Sequence, residues 1–397
     1  MPSLSPIRAT LRPSVFADLQ AHITARGPDL INLHLGDTYL EPPQVALLGP
    51  VLTRHGDGTN LYRYGAVGGL PSFKNAIAED LRRRGRTFPE VAGDKHVLLG
   101  AGATHALFCA AATVLSVGDE VLLAAPYWPL AHGILHATGA VPVEVPFTSR
   151  LYEDPSLDAG ALLKAALTPA TKAIYIITPN NPDGKMLSRA QQESVAALAR
   201  DEDLWVFADE AYADFSFTDP HVSFASLPGM AERTITAYSF SKSHALAGLR
   251  VGYVVAPEEV VAVGLRMSTH SVFNVPLAMQ HAAAAALASG TRWTERALLL
   301  YRRSLEAVVD GLKGTKVRFH RPDGGAYVFL DFADVLADRP LNVLLEKAIA
   351  KGVLLAPGTG FGHAYAKHAR LCFTSEPLPR LVEGMTRLAQ AIRELEG

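Results

Sequence analysis

The sequence predicts an α/β fold: a three-layer sandwich around a mostly parallel seven-stranded sheet, joined to a smaller α+β domain. Three observations carry this. Seven short apolar segments alternate with helical patterns between about residues 70 and 290. Most of these segments are continuously apolar, as strands covered on both faces must be. After about residue 290 the alternation stops, and a long helical pattern leads into a mixture of strands and helices.

The elements follow in order. Pro2, Pro6 and Pro13 predict an extended arm at the start. Residues 71–84 place Phe73, Ile77 and Leu81 on one helical face, with Pro71 suited to the first turn. His96–Gly100 reads as a strand, and Glu120–Ala124, after a Gly-Asp turn, as another. Val141–Val145, Ala173–Thr178, Leu204–Ala208, Thr234–Tyr238 and Val251–Ala256 complete the seven. Ser188 and Gln191 have the spacing of a capping box, opening a helix that runs to Arg200. Strands separated by helices predict a mostly parallel sheet. Arg292–Gly311 then predicts a long helix, Ala326–Asp331 a strand and Leu341–Lys351 a helix. Pro357–Gly362 is a glycine-rich turn, and a closing helix begins at Pro379.

Composition narrows the class. The chain has 397 residues, enough for two or three domains. With 49% hydrophobic and 19% charged residues, it is not a disordered chain. A net charge of −2 gives no global field for nucleic acid or an anionic membrane, so neither is an expected partner. Two cysteines, Cys109 and Cys372, are too few for a disulfide framework or a thiolate metal site, and no metal is expected. No apolar stretch reaches the ~18 residues of a membrane span. The N-terminus shows no apolar signal segment, so the expected location is the cytoplasm. The 32 glycines and 26 prolines imply many tight turns, and the turns hold the candidate chemistry.

The segment from Ser239 to Arg250 lies between two apolar strands and contains Lys242. A lysine there is costly to bury as a cation. Partial burial lowers its pKa and suits the amine to nucleophilic work. Ser239 and Arg250 offer a hydroxyl and a guanidinium to a phosphate. A solvated surface turn accounts for the same residues equally well. Asp209 ends a strand, where ligands of open α/β sheets bind. An aspartate there pairs with a protonated pyridine nitrogen, or merely caps a turn. Asn181, within Thr178–Gly184, has an amide to offer a ligand oxygen, though Asn-Pro before Gly is turn chemistry first. Gly100–Ala106 is a glycine turn opening a helix, suited to phosphate and loosely similar to a dinucleotide fingerprint.

In combination, these four elements resemble the fold-type I pyridoxal-phosphate enzymes, specifically the class I/II aminotransferase family. Asp209 and Lys242 are 33 residues apart, and Lys242 and Arg250 are 8 apart. The resemblance covers essentially the whole chain. It implies the cofactor pyridoxal 5'-phosphate, with Lys242 as its Schiff-base lysine and Asp209 as the partner of its ring nitrogen. Asn181 and Tyr212 are implied as donors to its phenolic oxygen. Gly102, Ala103 and Thr104, with Ser239 and Arg250, are implied as its phosphate cup. In Pro126-Tyr127-Trp128, Trp128 rather than Tyr127 is similar to the ring-stacking residue. Tyr64 resembles the tyrosine that reaches the phosphate of the neighbouring subunit, which implies a homodimer with shared active sites. Arg370 resembles the arginine that clamps the substrate α-carboxylate, and Gly36 the early turn lining the substrate pocket. The resemblance also implies that residues 1–45 form an arm and part of the small domain. Residues 46–288 would be the large cofactor-binding domain and 289–397 the small C-terminal domain.

The implied reaction moves an amino group between an L-amino acid and a 2-oxo acid by a ping-pong route, with Lys242 as the base. Lys242, Asp209 and Tyr212 are the implied catalytic residues. Two departures stand out. Arg266 lies too early, and without a following proline, for the second arginine of aspartate aminotransferases, so a dicarboxylic donor is not implied. Ser243-His244-Ala245 replaces the small and glycine-containing residues common in the lysine turn. His34, Tyr39 and His270 are near the implied pocket only by neighbourhood.

Three other readings remain. A lyase of the same fold, such as a carbon–sulfur β-lyase or an aminocyclopropane-carboxylate-synthase-like enzyme, would use the same cofactor residues. A nicotinamide-dependent dehydrogenase would explain Gly100–Ala106 but leaves Lys242 and Asp209 without a role. A non-catalytic regulator of this fold would be expected to carry an added DNA-binding domain, for which there is no room before Leu30.

Overall fold

The computed structural model describes residues 19–54 and 60–396, together with Ser5, Thr10, Leu11 and Phe16. Pro2, Pro6 and Pro13 of the expected arm lie outside the described residues. The strands in chain order are β1 (Ile31–Asn32), β2 (Val97–Ala101), β3 (Glu120–Ala125), β4 (Val141–Pro146), β5 (Thr171–Ile177) and β6 (Trp205–Asp209). They continue with β7 (Thr234–Ser239), β8 (Val251–Val255), β9 (Tyr327–Asp331), β10 (Val353–Leu354), β11 (Ala356–Pro357) and β12 (His368–Cys372).

The seven predicted strands, β2 to β8, form one sheet in the order β2-β8-β7-β6-β5-β3-β4. Five of them pair in parallel, from β4 through β3, β5 and β6 to β7. Strand β8 runs antiparallel to both β7 and β2. The link from Ser239 to Val251 explains the exception. It holds only the short helix Phe240–Ser243 and a 3-10 turn at Ala247–Leu249, too little for a crossover, so the chain turns straight back.

Side chains leave a strand to alternate faces. Leu122, Ala124, Ile174, Ile176, Val206 and Ala208 pack on one face with Val195, Ala196 and Ala199 of helix Arg189–Asp201. Val121, Leu123, Ala173, Tyr175, Ile177 and Phe207 pack on the other with Ala106, Leu107 and Ala110 of helix Ala103–Val114. Burial on both faces is why these strands lack an apolar–polar alternation. The capping box forms as expected: Ser188 Oγ accepts the Gln191 N–H at 3.2 Å, and Gln191 Oε1 accepts the Ser188 N–H at 3.0 Å.

The C-terminal third holds a three-stranded antiparallel sheet in the order β11-β12-β9. Helices Arg292–Gly311 and Leu378–Glu396 share its apolar core through Leu305, Val308, Leu381 and Leu388. Strand β1 pairs in parallel with β10, Ile31 opposite Val353, so residues 31–32 lie against the last third of the chain. Among the described residues no helix is long and apolar enough to cross a membrane.

Candidate active site

The sheet order reverses beside β3 and β5, and the turns after β3, β5, β6 and β7 gather at their carboxyl ends, where such sheets bind ligands. A cavity of about 400 Å³ opens there. Ala103, Thr104, Trp128, Asn181, Asp209, Tyr212, Ser239, Lys242 and Arg250 line it, as do Gly36 and Arg370. Elements far apart in sequence thus bring together every predicted site residue except Gly102 and Tyr64.

Gly102 is not among the lining residues, but it precedes Ala103 and Thr104, which are. It caps helix Ala103–Val114 with φ 79°, and as a glycine it leaves the first N–H groups of the helix uncovered. A Cβ on Gly102 would fall 2.3 Å from Arg250 Nη2, and one on Gly252 would fall 2.2 Å from the Ala103 nitrogen. Both glycines therefore allow the arginine and the helix N-terminus to close on one point. Arg250 itself is left-handed, at φ 52°, and its Nη1 donates to the Ala247 carbonyl at 2.9 Å. This cluster of N–H groups, a hydroxyl and a guanidinium suits a dianionic phosphate.

Lys242 lies in the short helix after β7, and its Nζ donates to the Gly36 carbonyl. Burial holds its pKa below the ordinary lysine value, against the pull of Asp37; the charges of Arg370 and Arg250 add to the lowering. Asp209, at the end of β6, is 7% exposed. Burial raises its pKa to about 6, while the Ala211 N–H and the Tyr175 hydroxyl, at 3.2 and 3.1 Å, act the other way. A buried carboxylate with so little compensation suits a cationic ring nitrogen. Trp128 precedes helix Pro129–Ala137 and lines the cavity, whereas Tyr127 is fully buried and bonded to Glu144.

Arg370, on β12, donates from Nη1 to Asn181 Oδ1 at 2.8 Å and from Nη2 to the His34 carbonyl at 2.6 Å. Its guanidinium lies 4.2 Å from the Tyr327 ring centre and 4.9 Å from that of Phe361. Burial and the neighbouring Arg370 lower the His34 pKa to about 4, so His34 is neutral beside the guanidinium. Tyr212 is buried, with its hydroxyl 2.5 Å from that of Tyr327.

The comparisons with known proteins agree with this geometry. The model of the family "Aminotransferase class I and II" matches residues 28–385. The chain belongs to that family. This aminotransferase is 34% identical over 381 residues to an arginine–pyruvate transaminase of Pseudomonas aeruginosa, covering 94% of this chain and 92% of that one. It is 32% identical to an aspartate aminotransferase of Musicola paradisiaca, covering 84% of this chain and 82% of the other. Among solved structures, an aspartate aminotransferase mutant of Thermus thermophilus superposes with a TM-score of 0.89 at 27% identity, covering 98% of this chain and all of that one. An aromatic aminotransferase of Pyrococcus horikoshii gives 0.84 at 29% identity, with 94% and 99% covered. The protein is a fold-type I aminotransferase that uses pyridoxal 5'-phosphate, and its substrates are amino acids and 2-oxo acids. The donor set fits that cofactor: a lysine, a buried carboxylate, an aromatic wall and an anion cradle that a Cβ would fill.

Tyr64 stands apart from the aminotransferase cavity. It is 84% exposed, its ring 4.9 Å from that of Phe273. Arg266 and His270 lie in helix Glu258–Ser271, and neither lines the cavity; nor does Tyr39. Sequence reasoning missed Tyr327, Tyr175 and Phe361. Each has a signal. A tyrosine in an otherwise apolar strand needs a partner for its hydroxyl. The paired glycines before Tyr327 mark a close backbone approach, since a Cβ on Gly324 would fall 2.6 Å from the Phe215 carbonyl oxygen.

Proposed function

We propose that this aminotransferase binds its cofactor and substrate through the residues converging on the 400 Å³ cavity. The observation that carries the reading is the convergence of Lys242, Asp209 and Arg370 on one space. Lys242 anchors the cofactor and, once freed, takes and returns the proton at the substrate Cα; its lowered pKa leaves a larger neutral fraction for that work. Bound pyridoxal phosphate supplies an electron sink for the charge left at Cα. Asp209 holds the ring nitrogen protonated, Trp128 covers the ring, and Asn181 and Tyr212 donate to the phenolic oxygen. Gly102, Ala103, Thr104, Ser239 and Arg250 hold the phosphate. Arg370 takes the substrate α-carboxylate in a forked pair, with Gly36 and Asn181 beside it.

The finer organisation belongs to the same proposal. Residues 1–45 serve as an arm and part of the small domain, 46–288 as the cofactor domain and 289–397 as the small domain; the pairing of β1 with β10 supports that division. The enzyme works as a homodimer in which Tyr64 reaches the partner's phosphate. The outward display of Tyr62 and Tyr64, 94% and 84% exposed, supports a covering subunit. Two unpaired cysteines support a reducing, cytoplasmic setting.

The test is spectral and chemical. The purified protein should carry the visible absorbance of lysine-bound cofactor, and Lys242→Ala should lose it. Addition of an amino acid should bleach that band, and a 2-oxo acid should restore it. The first pair to try is L-arginine with pyruvate, after the name of the Pseudomonas aeruginosa relative. A Lys242→Ala protein with the normal band would sink the lysine assignment. Release of pyruvate and ammonia without an acceptor would replace transamination by a lyase reaction.

A further inference from the structure

We propose that Tyr327 is a positioning residue that ties the substrate-carboxylate arginine to the Tyr212 hydroxyl and strengthens that hydroxyl as a donor to the cofactor. The proposal rests on the roles given above to Arg370 and Tyr212 and adds a residue to them.

Tyr327 opens β9 and is 1% exposed. Its hydroxyl lies 2.5 Å from the Tyr212 hydroxyl. Its ring carries the Arg370 guanidinium at 4.2 Å. The same hydroxyl abuts Gly36, where an added Cβ would fall 1.8 Å from it. One side chain therefore holds the early turn, the tyrosine after β6 and the arginine of β12 in a fixed relation.

The direction of the hydroxyl bond follows from counting protons. Each tyrosine has one O–H. If Tyr212 donates into the cavity, the short bond must run from Tyr327 to Tyr212 Oη. A hydroxyl that accepts a hydrogen bond donates its own proton more strongly. Tyr327 thus makes Tyr212 a better donor to the cofactor's phenolic oxygen. The ring does separate work. Arg370 Nε has no hydrogen-bond partner and is buried, so the aromatic face supports the part of the guanidinium that no acceptor reaches. The charged and titratable groups facing the tyrosine pair are Arg370 and Cys372 from β12 and Asp37 beside Gly36, with Lys242 and Asp209 across the cavity.

The experiment is a pH titration of the bound cofactor's absorbance in the holoenzyme, with KM for an amino donor measured alongside. Tyr327→Phe keeps the ring and removes the hydroxyl. Weaker donation to the phenolic oxygen disfavours the deprotonated, more negative chromophore, so the midpoint should rise by about half a unit. KM should stay within roughly twofold, because the ring remains under Arg370. Tyr327→Leu removes both groups: the midpoint should rise similarly, and KM should rise about fivefold. An unmoved midpoint in Tyr327→Phe overturns the hydroxyl's role, and an unchanged KM in Tyr327→Leu overturns the ring's. If Tyr327→Leu does not fold, the Phe variant decides. A wild-type protein with no cofactor absorbance overturns the functional reading itself, and the inference with it.

Discussion

Asp209 Oδ2 accepts the Tyr175 hydroxyl at 3.1 Å inside the large sheet. Tyr175 lies on β5 and Asp209 at the end of β6, adjacent strands in parallel register, so the bond spans neighbouring strands rather than neighbouring residues. Burial raises the carboxyl pKa to about 6, and Tyr175 is one of two groups that pull it down by hydrogen bonding. Tyr175→Phe therefore leaves the carboxyl harder to ionise and, in the role proposed for Asp209, a weaker partner for the cofactor nitrogen. Cofactor affinity at pH 7 should fall about threefold to tenfold. Fluorescence titration of the cofactor-free protein measures it, and an unchanged Kd would deny the bond any part in binding.

Asp209 also governs stability without cofactor. Its folded pKa, about 6, exceeds the ordinary 3.8, so the folded state favours the neutral acid. Below about pH 4 both states are protonated and the effect vanishes. As pH rises from about 4 to 6 the unfolded state ionises freely while the buried carboxyl keeps its proton, so stability falls by up to about 3 kcal/mol. Asparagine cannot ionise. Asp209→Asn should therefore raise the Tm of the cofactor-free protein by about 2 to 5 °C at pH 7.5, with no gain near pH 4. Thermal melts at the two pH values decide, and a gain of equal size at both would point to packing instead.

Arg370 combines a forked pair of hydrogen bonds, to Asn181 and the His34 carbonyl, with a position between two aromatic rings. Arg370→Lys keeps the charge but loses the fork. KM for the amino donor should rise about 10- to 100-fold, with a smaller change in kcat. A fall in kcat at constant KM would place Arg370 outside substrate binding.

A shared site predicts complementation. Lys242→Ala and Tyr64→Ala subunits should each be impaired alone. Mixed by unfolding and refolding, half of the dimers pair one of each, and one of their two sites has both residues intact. Activity should recover to roughly a quarter of wild type. No recovery, with mixed dimers present by mass measurement, would place Tyr64 in its own subunit's site or in none.

Much of the site is legible in the sequence because its residue types are out of place in a core. Gly102, Asn181 and Lys242 fall in turns at the ends of apolar strands, where ligands of such sheets gather. The seven strands are legible for the same reason, since apolar runs bounded by turn residues leave few alternatives. The reversed direction of β8 is set by how little chain separates it from β7. Tyr175 and Tyr327 are different. Each sits in an apolar run where an aromatic side chain is ordinary core. Only their partners, 34 and 115 residues away in sequence, give the hydroxyls a purpose. Pairings over such separations are fixed by tertiary packing.

Gly36 receives the Lys242 amine and abuts Tyr327, and strand β1 just before it pairs with β10. In the order of synthesis, Gly36 leaves the ribosome long before Tyr327, Leu354 and Arg370. A nascent chain halted after β8 already contains Gly102, Asp209, Lys242 and Arg250, but not Arg370, the residue proposed to take the substrate carboxylate. On the role proposed for Arg370, the substrate end of the site is completed only when β12 is made, well after the turns that hold the cofactor residues.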